Sequence, residues 1–181
     1  MEKWKAKLWF DVYAPKAVST EVIGSVPAND EKGIMGRVIA VSLSWITHNP
    51  NHSFMMIGMR VNNVSGGNAN TDVVYLEQQY SYLHSLVKRR ADAIYTHDKA
   101  LDKEGKEFTV KLLVTTKVGV ARKSVTAVRK GVSKFVKEYL AKTTKEDFIK
   151  AIIGGEFQAA GMKSLTETAQ IAKLEIKRVE F

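Results

Sequence analysis

Cysteine is absent from all 181 residues, which excludes disulfides, thiolate metal sites and a thiol nucleophile. Long hydrophobic runs are missing too. The longest, around Phe54 to Met59, falls far short of the roughly 20 residues a membrane helix needs, so no segment is expected to span a bilayer. The N-terminus alternates Lys3, Lys5 and Lys7 with Trp4, Ala6 and Leu8. It lacks the uninterrupted apolar core of a secretory signal, and an intracellular protein is expected.

Catalytic signatures are equally sparse. There is no phosphate loop of the form G-x-x-x-x-G-K-S/T and no G-x-G-x-x-G, and Gly66-Gly67 is followed by neither Lys nor a strong helix start. Of the four histidines, His48, His52, His84 and His97, only the first two are close in sequence. Pro50 between them argues for a loop and against a helical zinc pair. The acids Asp92, Asp98, Asp102, Glu104 and Glu107 cluster in sequence but are interleaved with Lys99, Lys103 and Lys106. A nuclease would use such acids to hold magnesium; a solvated turn has the same composition. No enzyme, cofactor or metal is expected.

What is present is a globular composition, 45% hydrophobic, with a net charge of +9. The length suits one large domain or two small, tightly joined ones. Residues 1–116 hold fourteen cations against twelve acids, and residues 138–181 hold seven of each. The 21 residues between hold seven cations and no acid: Lys117, Arg122, Lys123, Arg129, Lys130, Lys134 and Lys137. A charge confined to one segment makes a local positive field that attracts a polyanion.

Alternation predicts strands over Leu8 to Val12, Val18 to Ile23, Arg37 to Leu43 and Phe54 to Val61. Val26 to Gly36 is predicted as a loop and Asn62 to Asn70 as a turn. Between Asp72 and Arg90, the helical spacing of Tyr80, Leu83, Leu86 and Val87 predicts a helix closing on Lys88, Arg89 and Arg90. A hairpin is expected from Asp92 to His97 and Phe108 to Val118, turning at Asp102 to Gly105. Helices follow at about Ser124 to Ala141 and Lys145 to Ile153. The second has Thr143 or Thr144 as N-cap, a capping box to Glu146 or Asp147, and a stop at Gly154-Gly155. A small helix around Leu165 to Ile171 leads to a last strand, Leu174 to Phe181, with Leu174, Ile176 and Arg178 on one face. The whole reads as a single domain, 1–181: sheet-rich over 1–70, helix, hairpin and basic helix over 71–142, and helices with a closing strand over 143–181.

Projected at about 100° per residue, the basic helix separates into two faces. Val125, Val128, Val132, Phe135, Val136 and Tyr139 form an apolar arc, while Arg129, Lys130, Lys134 and Lys137 form another. A mixed-charge stripe would be an ordinary solvated face. A stripe of one sign gives up the usual i,i+4 ion pairs and repels itself, which points to polyanion binding. Lys88, Arg89 and Arg90 point the same way more weakly, because the macrodipole already favours cations at a helix C-terminus. Trp4, Trp9, Phe10, Tyr13 and Trp45 are candidate base-stacking platforms, although aromatics in strands are more often core.

Several segments also resemble a known family. They are Trp9-Phe10-Asp11-Val12-Tyr13-Ala14-Pro15, Ile23-Gly24, Gly36-Arg37-Val38 leading to Val41-Ser42-Leu43, and Val64-x-Gly66-x-x-Ala69-x-Thr71. Tyr82-Leu83-His84-Ser85-Leu86-Val87-Lys88-Arg89-Arg90, the basic run Ala121 to Val136, and Leu174-Glu175-Ile176-Lys177-Arg178-Val179 follow in order. Together they resemble the small-subunit ribosomal protein S-three-A-e family of archaea and eukaryotes. The length resembles the archaeal branch, which lacks the longer Lys-rich tails. The resemblance implies an α+β fold with a barrel-like, mostly antiparallel sheet and about three to four packed helices. It also implies a structural constituent of the small ribosomal subunit in the cytoplasm, seated on the platform. The implied partners are ribosomal RNA, neighbouring platform proteins and messenger RNA near its exit. A free-standing nonspecific nucleic-acid enzyme or RNA chaperone is the alternative for the same basic patch.

Overall fold

The computed structural model describes residues 7–166 and 169–181. The chain separates into two units, the first ending at Leu76 and the second running from Glu77 to Phe181. The first unit contains β1 (Leu8–Tyr13), β2 (Val22–Ala28), α1 (Glu31–Ile34), β3 (Val38–Ser42), α2 (Leu43–Thr47), β4 (Met55–Ser65) and most of β5 (Asn68–Gln78). Its ladder runs β2-β1-β5-β4-β3. All the described register is antiparallel except β1 with β5, where Asp11 lies beside Asn68. The ends of this ladder, β2 and β3, are not paired with each other among the described residues. The sheet therefore stays open, and the barrel-like closure implied by the family resemblance is not confirmed.

Three expectations here need correction. The strand placed at Val18 to Ile23 forms further on, as β2, and takes in Pro27. A proline is tolerated there because β2 is an edge strand whose only described partner is β1. The loop placed at Val26 to Gly36 accordingly holds the end of β2 and the short helix α1. The turn placed at Asn62 to Asn70 shrinks to Gly66-Gly67, both at positive φ (58° and 88°), and the flanking asparagines continue β4 and β5. Asparagine is a poor strand former, so cross-strand pairing overrides local preference. Phe10, Val12, Ala28, Ile34, Val61 and Ala69 form a core cluster of this unit.

The second unit contains α3 (Tyr80–Ser85), β6 (Ala93–Leu101), β7 (Glu107–Thr116), α4 (Arg122–Leu140), α5 (Lys145–Ile153), α6 (Glu156–Leu165) and β8 (Ile171–Glu180). The strands run antiparallel in the order β6-β7-β8. Helix α4 packs on β6, α6 packs on β8, and α6 also meets α4 and α5. Val128, Val132, Val136 and Leu140 of α4 are buried together with Leu112, Val114, Leu174 and Ile176 of the strands. Aromatic rings fill the space nearer α5: Phe148 meets Phe157 edge to face at 5.2 Å, and Phe108 meets Phe181 at 5.2 Å.

Six α-helices are present among the described residues rather than three to four. The unforeseen ones are α1 and α2, of 4 and 5 residues, too short to leave a periodic pattern, and α6. In α5 the N-cap is Thr144, whose hydroxyl accepts from the Asp147 amide at 3.4 Å. Gly154-Gly155 does end α5, but Gly155, at φ 76°, turns the chain straight into α6, where no helix was expected. The small helix placed at Leu165 to Ile171 begins only where α6 ends. Residues 167 and 168 of it lie outside the described residues, and β8 starts at Ile171. In β8 a bulge changes the facing: Lys111 pairs Arg178 while Leu112 pairs Ile176. The extra residue, Lys177, puts Val179 rather than Arg178 into the core.

Candidate nucleic-acid interface

Helix α4 carries most of the candidate cations, and its packing keeps them exposed. Its apolar residues recur at helical spacing and are covered by β6 and α6, which leaves the opposite face to water. Arg122, Lys123, Arg129, Lys130, Lys134 and Lys137 are all exposed, as is Lys117 just before the helix. Among the described residues these seven cations make one ion pair, Lys134 with Glu138 at 3.8 Å. Both partners are well solvated, so it neutralises little. The first turn holds Arg122 and Lys123, no acid, and an N-cap, Ala121, that offers no side-chain hydrogen bond. Stability alone favours acids at this positive end of the macrodipole. A neighbouring anion would reverse that penalty.

Gly131 does not kink the helix, which is continuous from Arg122 to Leu140. A Cβ at this position would come within 2.8 Å of Leu165 Cδ2. Glycine is therefore there to let α6 approach, not to break α4. Arg129 and Lys130 also line a cleft against β6, together with Asp98 and Ser133. Ser133 donates to the Asp98 carboxylate, so one acid lies beside the cationic face.

The second basic cluster corrects an expectation. Helix α3 ends at Ser85 with Leu86 as C-cap, so Lys88, Arg89 and Arg90 lie beyond it in a turn and not in a last helical turn. The macrodipole therefore does not account for them. Arg90 takes a positive φ of 63°. The turn is fixed by Asp92, which accepts from the Val120 amide at 2.8 Å and whose own amide donates to Thr116 Oγ1 at 2.9 Å. Lys88 to Arg90 is thereby fastened beside the chain that leads from Lys117 into α4.

A third element, missed from sequence, completes this region. Lys173, at the start of β8, lines one cleft with Lys88 and Lys117. Its ammonium donates to the Tyr82 hydroxyl at 2.7 Å and pairs with the Glu175 carboxylate at 2.9 Å. Glu175 also accepts from Tyr82 at 3.0 Å and from Gln78 at 3.0 Å. Burial disfavours the lysine's charge, but the Tyr82 and Glu175 bonds outweigh it and hold the Lys173 pKa above its usual value. A single lysine in an alternating strand carries no signal that could have singled it out.

The remaining candidates divide. Phe10 is core at 2% exposure and Tyr13 is half-buried, whereas Trp9 (58%) and Trp45 (70%) stand open; Trp4 lies outside the described residues. His48 faces Glu21 and His52 faces Thr47, so the two do not converge. The hairpin acids are engaged structurally. Asp102 accepts from the Glu104 and Lys106 amides, Glu104 pairs Lys106 at 2.7 Å, and Glu107 pairs Lys99. No group of three or more metal-ligating side chains occurs among the described residues. Nor is any helix there long and apolar enough to cross a membrane.

Comparison with known proteins gives the family of the chain. Residues 1–181 match the model of the Ribosomal S3Ae family. Over 180 residues the chain is 32% identical to the small ribosomal subunit protein eS1 of Methanococcus vannielii, covering 99% of this chain and 80% of that protein. It is 30% identical to the protein of that name from Methanoculleus marisnigri, covering 98% and 90% respectively. The corresponding protein of Staphylothermus marinus is 26% identical, covering 97% and 82%. All three are archaeal. The chain belongs to the Ribosomal S3Ae family, on its archaeal branch.

Proposed function

We propose that this chain is a structural constituent of the small ribosomal subunit in the cytoplasm and holds ribosomal RNA through a positively charged surface of its second unit. The contacts are assigned to Arg129, Lys130, Lys134 and Lys137 of α4, to Lys117, Arg122 and Lys123 where the chain enters it, and to Lys88, Arg89 and Arg90 in the adjoining turn. Family membership supports the ribosomal role. The observation that carries the RNA assignment is an exposed surface of seven cations with one solvated ion pair, to Glu138, which loses stability by self-repulsion unless a polyanion lies on it. Its role is structural, not catalytic. Contacts of this kind set affinity and register on a phosphate backbone without reading sequence. Trp9 and Trp45 are exposed platforms for stacking. Neighbouring platform proteins and messenger RNA near its exit are further partners in this reading, and residues 1–181 act as one domain.

The test is charge reversal. Changing Arg129, Lys130 and Lys134 to Glu should weaken binding to small-subunit ribosomal RNA. If each cation meets one phosphate, the slope of log K against log salt should become shallower by roughly 2. An unchanged slope would remove α4 from the interface.

A further inference from the structure

Two basic stretches far apart in sequence and one isolated lysine meet at a single cleft of the second unit, about 470 Å³ in volume. Lys88 comes from the turn after α3, Lys117 from the chain just after β7 and Lys173 from the start of β8. The backbone holds these segments together: the Lys117 amide donates to Gln170 O at 2.9 Å and the Thr116 amide to Asp92 O at 3.1 Å. Lys173 is fixed from below by Tyr82 and Glu175. Its side chain is 45% exposed while that of Glu175 is 11% exposed. Lys173 lines the cleft and Glu175 does not, so a ligand there meets the lysine rather than the carboxylate.

We infer that this cleft is a phosphate pocket that takes one backbone phosphate of the bound RNA, with Lys173 as its fixed cation and Lys88 and Lys117 as mobile cations at the rim. Three lysines line it against the single carboxylate that holds Lys173, leaving an excess of positive charge. Lysine suits a compact, tetrahedral anion as a point charge. Lys173 differs from the solvated lysines of α4 because its rotamer is already restricted by two hydrogen bonds. Less conformational entropy is lost when the anion arrives. Occupancy of the pocket would also fix the RNA strand against the fold at one place, where α4 alone offers a continuous and slippery stripe. The inference rests on the RNA-binding reading above, and its test separates the two.

The full chain is titrated with a small-subunit ribosomal RNA fragment across a range of salt, as wild type and as two variants, Lys173→Met and the double variant Lys88→Ala with Lys117→Ala. The double variant replaces only exposed side chains and should leave folding intact. Both variants should bind more weakly, with a salt slope shallower by at least ~0.7, the loss of one phosphate contact or more. In parallel, inorganic phosphate alone should shift the NMR signal of the Lys173 side chain in the wild type and much less in the double variant. If both variants keep the wild-type slope while reversal of Arg129, Lys130 and Lys134 flattens it, the pocket is wrong and the RNA reading stands. If the wild type shows no salt-dependent RNA binding, the RNA reading fails. The phosphate titration then decides the pocket alone: no shift at Lys173 overturns it, and a shift abolished in the double variant supports it.

Discussion

At the residue scale, Gly58 and Lys173 are each set by the side chains around them. Gly58 in β4 looks like a weak point in a strand, yet a Cβ there would fall within 2.1 Å of the Tyr75 ring. The ring lies across the bare backbone, so glycine is required for packing, not for backbone freedom. Gly58→Ala should destabilise the protein by about 1–3 kcal/mol, the usual cost of overpacking, read as a lower midpoint in urea; an unchanged midpoint would mean that Tyr75 swings aside freely. Lys173 makes a different prediction. Because its folded pKa stands above the ordinary 10.5, its contribution to stability is complete below that value and lost as pH rises through the folded one. Lys173→Met should therefore lower stability at neutral pH, and the difference from wild type should narrow as the solution is taken above about pH 10.5. A difference constant with pH would mean that the charge of Lys173 contributes nothing.

At the element scale, legibility followed length and local consistency. Helix α4 was readable because valines and cations sort cleanly at helical spacing over 19 residues. Helix α5 was readable from Thr144 and Gly154, a cap and a stop. Helix α6 was not, because Gly161 interrupts its pattern; that glycine is explained only in three dimensions, where a Cβ would meet Leu174 and Phe135 at 3.0 Å. Helix α3 was overextended because Leu86 and Val87 keep the helical period after the backbone has left the helix. The candidate site divides the same way. Its α4 cations were legible as a run, whereas Lys173 joins them through strand order, which no local pattern encodes. The start of α4 also yields a prediction that separates function from folding. Replacing Arg122 and Lys123 with Glu should stabilise the free protein by about 0.3–1 kcal/mol per residue through the macrodipole, while weakening RNA binding. Thermal unfolding and RNA titration of the same variant check both signs; a variant that loses stability would remove the argument that these cations are retained for a ligand.

At the scale of the whole molecule, the boundary between the two units falls inside β5, which runs from Asn68 to Gln78 across Leu76 and Glu77. The proposed single-domain reading predicts one unfolding transition, coincident by tryptophan fluorescence and far-UV circular dichroism. Two separated transitions would contradict it. The central claim is that an uneven charge distribution, kept exposed by the packing of α4, places this chain on ribosomal RNA. The most direct measurement is fractionation of cell extract on a density gradient, asking where the chain runs. It should co-sediment with the small ribosomal subunit and leave that fraction as salt is raised. If it remained at the top of the gradient at low salt, away from ribosomal particles, the claim would be contradicted.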